Sequence, residues 1–180
     1  MQSEGVAVLH SALQRATINT EKIDGVILEL CAEELSSRHT TSEQLLAAMK
    51  NVLGKLCEHN VSLHPDDAKY CCYHLPSAPN TQLRICGQAF GAMCFAPSFA
   101  EADPRYSFGA TSVFILFQPH VSFARKNLGE AQAWSEDGVA RCVRKMYEDN
   151  GRGYPPFSAD FNALRKTGAY YPDWYWAPGS

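Results

Sequence analysis

The stretch Thr111-Ser112-Val113-Phe114-Ile115-Leu116-Phe117 decides how the rest of this chain is read. Its apolar run, Val113 to Phe117, is strand-sized and far short of the ~18–20 residues that a membrane helix needs. A strand without polar alternation is apolar on both faces, and that predicts a central position in a sheet. Outward from it, Tyr70–Leu75, Leu83–Cys86 and Gly91–Ala96 read as three further short strands. A turn region with Pro76, Pro79 and Asn80 separates the first two. Between Ala96 and Thr111 lies a loop, Pro97 to Gly109, that carries Glu101, Asp103 and Arg105.

Helical patterns flank these strands. Val6, Val8, Leu9, Ala12, Leu13 and Ala16 fall at helical spacing. Thr41 with Gln44 three residues on is a capping-box pattern, and Leu45, Leu46, Met49, Val52, Leu53 and Leu56 then share one stripe. The spacing predicts a helix from Ser42 to about Glu58, with Asn60 near its end and Leu53 and Leu56 buried. Ser135 caps a further helix from Glu136 to Asp149, turning Val139, Cys142, Val143 and Met146 inward, and Asn150-Gly151 stops it. Residues 23–35 fit two patterns: Ile23, Val26, Ile27, Leu30 and Cys31 suit a helix, while Val26-Ile27-Leu28 equally begins a strand. Strands with segregated helices make an α+β domain. One domain over residues 1–180 is expected, a small, mostly antiparallel sheet flanked by helices.

Composition removes several function classes. Of 180 residues, 46% are hydrophobic and 19% charged, which is globular and excludes general disorder. Sixteen Lys and Arg against nineteen Asp and Glu give a net charge of −3, so no basic surplus exists to hold a nucleic acid. Met1-Gln2-Ser3-Glu4 has neither the basic start nor the apolar core of a signal peptide, and no membrane segment is read. Seven cysteines are an odd count without Cys-x-x-Cys spacing, which suits a reducing cytoplasm and gives no structural zinc signature. The last thirty residues hold Tyr154, Phe157, Phe161, Tyr170, Tyr171, Trp174, Tyr175 and Trp176. So aromatic a tail is expected to wrap the core, wall a pocket, or form the contact of a homodimer.

Six histidines are present, with no His-x-x-x-His pair. His10, His39 and His59 lie on polar helical stretches and read as solvated; His64 precedes Pro65 in a turn. His74 falls inside an expected strand, as a core residue or a ligand. His120 follows Pro119 where the apolar strand ends, a place where a rigid scaffold hands side chains to a site.

Two segments carry a family resemblance. Gly87-Gln88-Ala89-Phe90-Gly91-Ala92-Met93-Cys94-Phe95-Ala96-Pro97 resembles the Gly-Glu-(Ala/Pro)-Phe-Phe-Val-Val-x-x-x-Pro strand of the YqcI/YcgG family. Val113-Phe114-Ile115-Leu116-Phe117-Gln118-Pro119-His120-Val121-Ser122-Phe123 is similar to that family's apolar strand ending Phe-(Asn/Gln)-Pro-(His/Arg)-x-x-Phe. Asp173-Trp174 is similar to its closing Asp/Glu-Trp pair, and the resemblance covers roughly residues 42–176.

The resemblance implies a haem-dependent oxidative enzyme that uses O2 and an electron donor to oxygenate a nitrogen of a guanidino or amino compound. The substrate would be an arginine-like small molecule, and the cofactor haem b. It implies His120 as the axial iron ligand, with His74 the alternative. Gln118 and Arg125 would then surround the haem and its propionates, and Arg105 and Tyr106 would act on its distal side. The chain departs from the pattern where Gln88 replaces the family's Glu and Ala96-Pro97 replaces a His-Pro. Those departures favour the other reading, a non-catalytic binding or assembly protein that keeps the fold.

Overall fold

The computed structural model describes residues 3–30, 39–70, 83–101, 103, 105–119, 121–122, 145 and 148–151. Helix α1 spans Ser3–Ile18, strand β1 Val26–Leu30 and helix α2 Ser42–Leu63. A 3-10 segment, Pro65–Tyr70, follows α2. Strands β2 (Leu83–Ile85), β3 (Gln88–Phe95) and β4 (Val113–Pro119) complete an antiparallel sheet in the order β1-β4-β3-β2. The fold is α+β. Among the described residues no helix is long and apolar enough to cross a membrane.

The run that predicts a central strand is β4, and it pairs on both sides: Ile115 faces Leu28 of β1 and Cys94 of β3. Only alternate residues are fully buried, however. Val113, Ile115 and Phe117 turn to the helices, while Phe114 and Leu116 on the other face are half-buried. The helical stripes meet that buried face. Leu9, Leu13 and Ala16 of α1 form one core with Leu45, Met49, Val52, Leu53 and Leu56 of α2 and with Leu83, Phe90, Ala92, Ile115 and Phe117 of the sheet. Val8 of the α1 pattern is exposed, because it lies two residues, about 200° of helix, from Val6. Gly25 is required by a close approach: a Cβ there would lie 2.9 Å from Phe117 O.

The capping box forms as the sequence implies. Thr41 Oγ1 accepts from Gln44 N at 3.2 Å, and Thr41 N donates to Gln44 Oε1 at 2.8 Å, an arrangement worth about 0.5–2 kcal/mol. The far end of α2 differs. It runs past Glu58 to Leu63, because the backbone can stay helical until Pro65 restricts the residue before it. His64 accordingly leaves helical geometry (φ −134°, ψ 77°) while its N–H still reaches Asn60 O at 2.7 Å.

Three other expectations change. The ambiguous 23–35 stretch resolves at Val26–Leu30 as a strand, since Val26, Leu28 and Leu30 pair against Phe117, Ile115 and Val113. The strand expected from Tyr70 does not begin there: Tyr70 ends the 3-10 segment that Pro65 opens, and 71–75 lie outside the described residues. The strand expected over Gly91–Ala96 starts earlier, at Gln88, because Cys86 and Gly87 turn the chain and Gln88 pairs back to Ile85. Of the 136–149 helix only the end is described, where Gly151 takes φ 70° and its N–H reaches Glu148 O at 2.9 Å. The aromatic tail lies outside the described residues.

Candidate metal centre

Three elements come together here, and each brings one side chain of a metal-binding type. His10 comes from the middle of α1, His64 from the cap of α2, and Cys86 from the turn between β2 and β3. One ligand atom from each lies within 4.8 Å of the other two. His64 Nε2 and Cys86 Sγ lie 3.3 Å apart. Two ligands of a tetrahedral zinc ion, bonded at about 2.0–2.3 Å, sit roughly 3.5 Å apart, so this pair is already at coordination spacing.

His10 corrects the reading of a solvated histidine: it is 3% exposed. Its position explains this, since it lies one helical turn after Val6 and beside Leu9 and Leu13 on the buried face of α1. Its ring contacts the 2.9 Å-distant Oδ1 of Asn60, which is itself fully buried. Asn60 directs Nδ2 to Asp67 Oδ2 (3.2 Å) and Arg84 O (3.1 Å), so the network assigns Oδ1 as the acceptor and Nε2 of His10 as the N–H. The lone pair then sits on Nδ1, as a metal ligand needs. Burial lowers the His10 pKa, with His59 and His64 adding to the effect against the Asn60 bond and the Asp67 carboxylate. The His59 ring meets His10 edge-on at 5.1 Å, and His64 stacks on it at 6.0 Å between centroids.

Cys86 occupies a position where side chains are rare. The two-residue turn has φ 49° at Cys86 and 79° at Gly87, and this left-handed geometry ordinarily selects Asn, Asp or Gly. A thiol held there at a backbone cost of order 1 kcal/mol points to a use for the sulfur. The Cys86–His64 pair also has the contact of a cysteine nucleophile and its base. Electrostatics argue against that role: burial and then the Asp67 carboxylate raise the Cys86 pKa, with a hydrogen bond to Gln14 opposing them. Nucleophilic cysteines sit in surroundings that lower it. A bound cation reverses the balance, because a coordinated thiol is deprotonated outright.

Of the residues singled out from the sequence, the described ones (Gln118, Arg105 and Tyr106) are not part of this cluster. Gln118, paired across the sheet with Gly91, donates from Nε2 to Ser122 Oγ at 3.1 Å. Arg105 and Tyr106 stand beside Ala96, whose N–H reaches Arg105 O at 3.0 Å. Arg105 N also donates to Asp103 Oδ1, and the Tyr106 ring lies 6.4 Å from Phe108. Ala96 follows Gly91 by five residues, just past the end of β3, so Gln118 and the Arg105–Tyr106 pair lie roughly 17 Å apart along the sheet. His74, His120 and Arg125 lie outside the described residues. In comparisons with family models, curated proteins and solved structures, nothing matches this chain.

Proposed function

We propose that this protein binds a divalent transition-metal ion of the zinc class through His10, His64 and Cys86 Sγ. The observation that carries the reading is the convergence of three donor atoms, from three separate elements, within 4.8 Å. Two imidazoles and a thiolate suit zinc, cobalt and copper and do not suit magnesium or calcium. The three ligands found among the described residues fit the donor count of a catalytic zinc site, which leaves one tetrahedral position for water or a substrate atom. His64 and Cys86 are half-buried, and Gly87 beside them is exposed.

A second reading follows from the sequence resemblance. It takes the protein as a haem-dependent enzyme that oxygenates a guanidino or amino nitrogen, with His120 on the iron and Gln118 and Arg125 around the cofactor. Its support is that the two resembling segments are strand neighbours: Phe90 pairs with Pro119 and Gly91 with Gln118. One absorption experiment on purified, metal-free protein separates the two. The zinc-class reading expects Co2+ to produce a near-ultraviolet thiolate-to-metal charge-transfer band together with tetrahedral visible bands. Cys86→Ser should abolish the first and weaken binding beyond the roughly 10–100-fold typical of losing a residue behind a ligand. A wild-type protein with no charge-transfer band rejects it. A Soret band on adding haemin, lost in His120→Ala, would establish the second instead.

A further inference from the structure

The metal reading leaves one buried group to be explained. Asp67 is 7% exposed, and among the described residues its carboxylate meets no lysine or arginine side chain. Its Oδ2 accepts from Asn60 Nδ2 at 3.2 Å and from Gly87 N at 3.4 Å. Two neutral N–H donors hold a carboxylate in place without cancelling its charge, and a charge without a counterion among the described residues is costly away from water. Both donors belong to the proposed centre. Gly87 follows Cys86 in the chain, and the other end of the Asn60 amide holds His10. The carboxylate therefore sits one residue behind two of the three ligands. Arg84 on β2 directs its guanidinium to Gly87 O at 2.7 Å.

We infer that Asp67 makes this centre selective for a divalent over a monovalent ion. The inference rests on the metal reading above. A Cys86 thiolate and the Asp67 carboxylate together carry two negative charges, which a zinc-class ion cancels. A cuprous ion, which equally favours thiolate and imidazole, leaves one negative charge buried and unmatched. Asp67 is thus a positioning and charge-setting residue that touches no metal.

Asp67→Asn is the informative variant, because an amide keeps the size and an acceptor oxygen for Gly87 N while removing the charge. Metal-free wild-type and variant proteins, both checked for fold by circular dichroism, are titrated with Co2+ and, anaerobically against a chromophoric chelator, with Cu+. The variant should bind Co2+ about 10–100-fold more weakly, the range for residues that support ligands, and Cu+ only about 3–10-fold more weakly, because the carboxylate attracts a single charge half as strongly. An equal loss for both ions would show a packing role, and no change for either would show no role; both overturn the inference. Failure of the wild-type protein to bind Co2+ is a different result. It removes the metal reading before any variant is compared, and this inference with it.

Discussion

Asn60→Ala is expected to destabilise the protein by about 3–5 kcal/mol, a large part of the ~5–15 kcal/mol that holds a domain together. Asn60 is fully buried, and its amide serves His10, Asp67 and Arg84 O at once. Truncation deprives a buried imidazole N–H, a buried carboxylate and a strand carbonyl of their partner, and each orphan costs roughly 1–3 kcal/mol. The three penalties overlap, because they share one site and a water molecule would restore some contacts. A urea titration followed by circular dichroism measures the outcome. A loss below about 0.5 kcal/mol, the scale of a surface substitution, would mean that the network does not exist in solution.

The second large effect appears at alkaline pH. Burial pushes the Cys94 thiol up to about 12 from 9.0, against a weaker pull from the Arg105 guanidinium. The neutral form is the one the folded protein accepts. Below pH 9 both states keep the proton and stability is untouched; above it the unfolded chain ionises while the folded one does not. Stability should therefore fall by about 1.4 kcal/mol per pH unit between pH 9 and about 12, some 4 kcal/mol in all. Burial raises the Cys86 pKa too, so it acts in the same direction. Denaturation midpoints of wild type and Cys94→Ala, compared from pH 8 to pH 11, isolate the contribution. Parallel curves would show that Cys94 ionises freely in the folded state.

The elements with strong local signals were legible in the sequence. The capping box at Thr41, the Leu45–Leu56 stripe and the Val113–Phe117 run each depend on residues a few positions apart, and each forms the element its pattern implies. Strand β1 was not decidable, because five residues of mixed apolar pattern become a strand only by pairing with a partner more than eighty positions away. The His10–His64–Cys86 cluster was missed for the same reason: ligands from three elements have no sequence spacing. Two weak signals existed. His10 falls on the helical face that Val6, Leu9 and Leu13 mark as buried, where a solvated histidine does not belong. Cys86-Gly87 stands between two apolar runs, where a turn would ordinarily take Asn-Gly or Asp-Gly.

The pairing of β1 with β4 also fixes an order in time. Strands β2 and β3 close a two-residue turn, whereas β1 reaches β4 only after residues 31 to 112 are brought round. Closing the longer loop costs more chain entropy before any contact is made, so the β2–β3–β4 meander should gain protection from hydrogen exchange before β1 does. Helix α1 precedes β1 and packs against the same sheet, and it alone carries His10. On the metal reading proposed above, a refolding chain would hold His64 and Cys86 together early and gain His10 last. Cobalt added during refolding should report that final docking step, its charge-transfer band maturing with β1 amide protection rather than with the meander.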